Sequence, residues 1–272
     1  MRLYHGTGAW DDIRAAGGLI PDAESRTFGD EAEGIASLNG VYMSDRADIA
    51  GFYAVKSVNS ESYVGGYPGF FVIETDPRSL CADEDKIDFA LMRILERGSR
   101  IRDGEAKPFM EKLAARRDSV ILSVKQDLHL AATISDEEIW EGIRGFVYRK
   151  GDCGWPFDLE DQDQDVDALK ASIDRLCSAA SATIGHGWMS RVFGNDYCLS
   201  CRSVEPVTEA SGLVGGAQLM MSNDGFSIVG VETFGDVTQD EIDAFKASVI
   251  RYFEDISTCT IVDRSAPAGL AA

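Results

Sequence analysis

Two short segments combine residue types that could handle a small ligand. Leu3-Tyr4-His5-Gly6-Thr7 sets a histidine beside a glycine. Gly40-Val41-Tyr42-Met43-Ser44-Asp45, followed by Ala50-Gly51-Phe52-Tyr53-Ala54, carries two tyrosines whose separation is 53 − 42 = 11 positions. Histidine offers hydrogen bonding or proton transfer near neutral pH. Tyrosine rings offer stacking faces to flat or cationic rings. Taken singly, each residue has a plainer reading: a lone histidine beside a glycine is commonly structural, and tyrosines on a strand and a helix are commonly core aromatics. The joint spacing with Gly40 and Asp45 is what points to a built site.

Other constellations carry less chemistry. Of six cysteines only Cys198 and Cys201 have C-x-x-C spacing, with no second pair and with His5, His129 and His186 scattered, so reduced core cysteines are expected rather than a zinc site. The acidic run Asp158, Glu160, Asp161, Asp163, Asp165 and Asp167 suggests calcium. A calcium loop starting at Asp161 needs Gly at its sixth and Glu at its twelfth position, where Val166 and Ser172 stand. A solvated acidic loop or helix start is expected, pinned by Trp155-Pro156-Phe157. Gly215-Gly216 lacks a strand–helix phosphate-loop context and reads as a turn. No metal is expected.

The elements that must position the first two segments are legible from periodicity. Residues 2–4 and Val41 to Ser44 read as strands. Asp11 to Ala16 and Ala47 to Val55 read as helices, the first stopping at Gly17-Gly18. Residues 21–39 are polar and read as a surface loop, and Phe70 to Thr75 as a strand closed by Asp76-Pro77. From Asp83 to Gly194 the pattern is mainly helical. Ile87, Leu91, Ile94 and Leu95 share one face, and Ser135 with Glu138 forms a capping box before Ile139, Ile143 and Phe146. Leu169, Ile173, Leu176, Ala180 and Ile184 continue at helical spacing towards a stop at Gly185. Strands return at Tyr197 to Val204 and Gly225 to Phe234. Thr238 and Glu241 cap a final helix with Ile242, Phe245, Val249 and Phe253 inward; a strand over 258–262 and a disordered tail from Ala266 follow. The class is α+β, with 1–82 and 195–265 forming a strand-built core and 83–194 a helical insertion. Two abutting domains are the alternative.

The chain has 272 residues and no apolar run near the ~18 residues of a membrane span. MRLYHGT lacks an apolar signal region, so a cytoplasmic protein without membrane partners is expected. Lys plus Arg is 26 and Asp plus Glu is 46, a net charge of −20. That field repels phosphate backbones and favours a basic partner.

Together the two opening segments resemble the H-Y-E class of ADP-ribosyltransferases, the class of diphtheria toxin and the poly(ADP-ribose) polymerases. In that family a strand ends in His-Gly-[Ser/Thr]. A helix, a Gly-Leu turn (here Gly18-Leu19) and a variable loop follow, then a Gly-[Ile/Val]-Tyr-[Phe/Met]-[Ala/Ser]-Asp strand with a second Tyr eleven positions on. The likeness covers residues 2–76, and similar strings occur in small bacterial and phage proteins. It implies a split-sheet core with a helical insertion and NAD⁺ as substrate. It also implies mono-ADP-ribosyl transfer to a macromolecule, protein favoured over nucleic acid, by a toxin, defence or phage effector that an antitoxin or inhibitor could bind. Cleaving the nicotinamide–ribose bond develops positive charge on the ribose, so orientation and a nearby carboxylate are what help.

The resemblance assigns a ribose hydroxyl to His5, the nicotinamide carboxamide to the Gly6 backbone, the adenosine side to Thr7 and the nicotinamide ring to Tyr42 and Tyr53. The family's late Asn-Glu-Tyr motif corresponds here to Asn195-Asp196-Tyr197, which makes Asp196, one methylene shorter, the expected carboxylate. Glu205 and then Glu232 are the fallbacks. Ala50 stands where poly(ADP-ribose) polymerases usually carry Ser, and chain elongation is not expected. NAD⁺ hydrolysis, a catalytically inactive NAD⁺- or ADP-ribose-binding module, and RNA 2′-phosphotransfer are the other readings. The last is disfavoured because no Arg adjoins His5.

Overall fold

The computed structural model describes residues 1–21, 40–59, 66–76, 79–82, 106–128, 130, 133–151, 166–180, 200–222, 225, 227–257 and 260–265. The chain divides into two compact units. One comprises Met1–Pro21, Val41–Pro77 and Ser203–Ala272, the other Asp22–Gly40 and Arg78–Arg202.

The first unit contains both opening segments. Its strands are β1 (Arg2–Thr7), β2 (Gly18–Leu19), β3 (Val41–Ser44), β4 (Gly69–Glu74), β7 (Val207–Thr208), β8 (Leu213–Met221), β9 (Ser227–Gly235) and β10 (Val262–Asp263); its helices are α1 (Trp10–Ala16), α2 (Ala47–Val58) and α7 (Gln239–Ser257). Six of the strands lie in the order β10-β9-β8-β4-β1-β3, and β2 pairs separately with β7. The pairing is antiparallel except for β10 on β9, so the class is α+β.

Strand β1 extends past the residue 2–4 span expected from pattern, through His5-Gly6-Thr7, because β4 pairs with every position from Arg2 opposite Glu74 to Thr7 opposite Gly69. The row His5–Phe71–Gly216–Phe234 crosses four strands on one face. Trp10, 1% exposed, stacks on Phe71 at 4.6 Å and meets Phe234 edge-on at 5.5 Å. On the other face, α2 and α7 cover the sheet, with Phe70 against Phe245 at 4.6 Å.

Gly215 and Gly216 are not a turn but the interior of β8. A Cβ on Gly216 would stand 2.5 Å from the Phe70 carbonyl oxygen and 2.9 Å from the Trp10 ring; one on Gly69 would also stand 2.9 Å from that ring. The glycines are there because the indole lies flat on bare backbone. A Gly-Gly pair carries the same sequence signal whether it turns the chain or seats an aromatic ring.

Several expectations hold in detail. Helix α1 ends at Gly17 in the left-handed region (φ 76°), whose N–H bonds back to Arg14 and Ile13. At the head of α7, Thr238 N–H donates to Glu241 at 2.7 Å and Glu241 N–H to Thr238 Oγ1 at 3.3 Å. Ile242, Phe245 and Val249 are buried, but Tyr252 rather than Phe253 completes the stripe, and Phe253 is half-buried. The last strand is Val262–Asp263, just beyond the expected 258–262.

The second unit packs α3 (Ala106–Ala114), α4 (Arg117–Leu128), α5 (Asp136–Gly151) and α6 (Val166–Ala179), with β5 (Cys81–Ala82) paired to β6 (Ser200–Ser203). Leu113, Val124, Ile139, Ile143, Phe146 and Leu176 are in its core. The Ser135–Glu138 box forms, Glu138 N–H reaching Ser135 Oγ at 3.2 Å and Ser135 N–H reaching Glu138 at 2.9 Å. On β6, the guanidinium of Arg202 is wholly buried and donates to Asp174 at 2.7 Å and Ser178 at 3.2 Å on α6. Residues 22–39 of the expected loop, Ile87 to Leu95, the acidic run up to Asp165, Ile184-Gly185 and the tail from Ala266 lie outside the described residues.

Candidate active site

Strand β1 is held fully by β4 on one side but only at its start by β3 on the other. The β3 register is fixed at Tyr4 opposite Ser44. Continuing it would place Gly6 opposite Tyr42, since 4 + 44 = 6 + 42. Beside that position the His5 imidazole bridges the strands, its Nδ1 2.8 Å from the Tyr42 carbonyl oxygen. A carbonyl only accepts, so Nδ1 carries the proton and Nε2 is the lone-pair nitrogen. The His-Gly-Thr strand and the Gly-Val-Tyr strand thus meet at a fork tied by their own histidine.

The imidazole is partly exposed at its surface yet closely surrounded by protein. Desolvation lowers its pKa, and the Tyr42 carbonyl, which favours the protonated ring, offsets only part of that. His5 is therefore neutral at pH 7. It is a hydrogen-bonding group with one donor committed and one acceptor nitrogen, not a standing cation.

Gly6 has a structural reason to be glycine. Its Cβ would overlap the carbonyl oxygen of Ala50 on α2, so β1 and α2 touch backbone to backbone. The expected reason, close approach of a carboxamide, is not needed to explain the residue. Two residues on, Gly8 N–H donates to Ser57 Oγ on the same helix at 2.9 Å. Tyr53 lies between these anchor points, three residues after Ala50 and four before Ser57. It leaves α2 within about a turn of the Gly6–Gly8 backbone, is half-buried, and meets Phe52 edge-on at 5.4 Å. Tyr42 shares its sheet face with Ser44 and Tyr4 by alternation, which is the face α2 covers. His5 leaves from the opposite face. Ala50 is 1% exposed.

Thr7 is buried, and its Oγ1 accepts from Ala9 N–H at 2.9 Å, turning the chain into α1. Its hydroxyl proton is the part left to donate. Asp196 lies outside the described residues; the strand expected to follow it is present as Ser200–Ser203. Glu205 is exposed after β6, its backbone bonded to Ser203. Glu232 is not brought to His5: the row Thr7–Gly69–Gln218–Glu232 puts it three strands away, or about 14 Å. Among the described residues no cluster of three or more His, Cys, Asp or Glu could hold a metal ion.

One set of residues around β1 carries no signal in the sequence. Glu241, legible only as a helix cap, accepts from Arg2 Nε at 2.8 Å, Arg2 Nη2 at 3.1 Å and Tyr4 Oη at 2.7 Å. Arg2 also pairs with Asp236 at 2.9 Å and Glu74 at 3.1 Å. Burial alone would raise the Glu241 pKa, but the bonds from Arg2, Thr238 and Tyr4 outweigh it and hold the group ionised. Desolvation, then the bond to that carboxylate, pushes the Tyr4 hydroxyl up to about 12. No local pattern links residues 2 and 4 to residue 241.

No family model, no curated protein and no solved structure matches this chain. No helix among the described residues is long and apolar enough to cross a membrane.

Proposed function

We propose that this protein is a mono-ADP-ribosyltransferase that cleaves NAD⁺ at the nicotinamide–ribose bond and transfers ADP-ribose to a macromolecular acceptor, on a split-sheet fold of the ADP-ribosyltransferase kind. The observation that carries the reading is the fork. The His-Gly-Thr and Gly-Val-Tyr segments, 37 residues apart, share one bridge from His5 to the Tyr42 carbonyl, with Tyr53 on the adjoining helix. An Nε2 lone pair is the group a ribose hydroxyl would donate to. Tyr42 lies on the α2 side of the sheet, not on the face that His5 leaves, so Tyr42 and Tyr53 would offer their aromatic surface to a cationic nicotinamide ring only where that ring passes the open end of the fork.

In the reaction the C1′–N bond breaks with its electron pair going to nicotinamide, which leaves neutral. The acceptor's nucleophile attacks C1′ and gives up its proton. Asp196 is the proposed carboxylate opposite the developing ribose cation, and its shorter reach predicts slow turnover. The protein is proposed to act in the cytoplasm as a toxin, defence or phage effector, and the −20 charge favours a basic protein acceptor.

Incubation with adenosine-labelled NAD⁺ and a cell lysate tests this. The expected result is label on macromolecules, lost with His5→Gln. Label only in free ADP-ribose would make the protein an NAD⁺ glycohydrolase at the same site. The Asp in place of Glu favours a second reading, a binding module. NAD⁺ bound with no nicotinamide released would establish it.

A further inference from the structure

We propose that Glu241 is a positioning residue that acts through Tyr4 to hold β1 at the fork, and so sets the donor–acceptor state of His5. The inference rests on the reading of His5 and Tyr42 as the NAD⁺ site. Tyr4 is where the β1–β3 register is fixed, opposite Ser44, and His5 follows it directly. On the β3 side, the last paired position before the fork is therefore Tyr4. Its ring packs on Phe70 at 6.1 Å, and its hydroxyl is held by Glu241 Oε1 at 2.7 Å.

That carboxylate is saturated. It accepts from Tyr4, from two nitrogens of Arg2 and from the backbone N–H of Thr238 at 2.7 Å, while the Glu241 backbone N–H donates to the Thr238 hydroxyl at 3.3 Å and closes the first turn of α7. Residues 2 and 4 are the alternate positions of β1 on the α7 side. Both end on one side-chain carboxylate that is 10% exposed. A bidentate guanidinium contact and a phenol contact fix two successive same-face positions, so β1 cannot slide or roll against α7 without breaking charge-assisted bonds. His5 leaves the other face of the next residue. A roll of β1 of about 1 Å would carry Nδ1 out of reach of the Tyr42 carbonyl, at 2.8 Å. It would also release the tautomer. Tyr4 Oη also interacts with Arg2, so Tyr4→Phe removes its bond to Glu241 together with that contact and leaves the ring packing in place.

The test uses the full chain with ¹⁵N-histidine labelling, His5 being assigned by its loss in His5→Asn, and calorimetry with NAD⁺. The wild type is expected to show His5 protonated at Nδ1 and bare at Nε2. Tyr4→Phe should give averaged nitrogen signals from mixed tautomers and an NAD⁺ dissociation constant weaker by about tenfold, within the ~10²-fold that misplacement by 1 Å can cost. Glu241→Gln should behave likewise and more strongly. Ile242→Val, a buried substitution on α7 that touches none of these bonds, is the control for lost stability alone. The proposal is overturned if Tyr4→Phe matches Ile242→Val in both readouts. If the wild type binds no NAD⁺, the functional reading fails, and the tautomer of His5 in Tyr4→Phe still decides the positioning claim by itself. Should Glu241→Gln fail to fold, Tyr4→Phe carries the decision.

Discussion

At the scale of single residues, substitution can separate the bond His5 makes to Tyr42 from the acceptor it offers in the proposed site. Asparagine places its amide nitrogen where Nδ1 stands and keeps the donation to Tyr42, but has nothing at Nε2. Glutamine reaches the Nε2 position and abandons the tie. Nicotinamide release should fall by about 10²-fold or more in His5→Asn with little change in melting temperature, measured by product assay and thermal unfolding. In His5→Gln the fold should also weaken, by about 1 kcal/mol for the lost bond. The lowered His5 pKa has a pH consequence. The unfolded histidine takes a proton near pH 6.5 while the folded one resists it. The unfolded state then binds more protons, so stability is full above that value. It falls as pH drops from 6.5 towards the folded pKa. Urea unfolding at pH 7.5 and pH 5.5 should show a loss in the wild type that is smaller in His5→Asn; equal losses would place the titration elsewhere.

At the scale of elements, the site depends on backbone contacts that only glycine permits. Gly6→Ala drives a methyl into the Ala50 carbonyl and should cost about 3 kcal/mol in chemical denaturation, as a clash that no rotamer relieves. Gly216→Ala, under Trp10, should cost a similar amount; a neutral result at either position would contradict the packing described. These elements also show what the sequence could convey. Helices α5 and α7 were readable because a capping box and a 3.6-residue stripe are local signals, and β3 and β4 because they are short apolar runs between breakers. The strand β8 is hidden by Gly215-Gly216, because Gly216 makes room for an indole more than two hundred residues away and Gly215 for the backbone at Phe234 and Asp236. Residue types and spacing single out His5, Tyr42 and Tyr53, but the bridge to the Tyr42 carbonyl, and with it the proton position, follows from three-dimensional register. The Glu241 cluster was invisible for the same reason, joining residues 237 to 239 positions apart.

At the scale of the whole molecule, a charge of −20 on 272 residues sets how partners arrive. Capture of a basic acceptor should weaken as salt rises from 0.05 to 0.5 M, because screening shortens the field from about 14 Å to about 4 Å; transfer rates that ignore salt would argue against a basic acceptor. The proposal on which the others rest is that NAD⁺ binds at the fork between β1 and β3. Titrating NAD⁺ into the full chain in a calorimeter, beside His5→Asn and Tyr42→Ala, tests it most directly. Saturable binding of one NAD⁺ per chain is expected, lost or weakened at least tenfold in both variants while their melting curves stay cooperative. No heat with the wild type, or equal affinity in all three proteins, would contradict it.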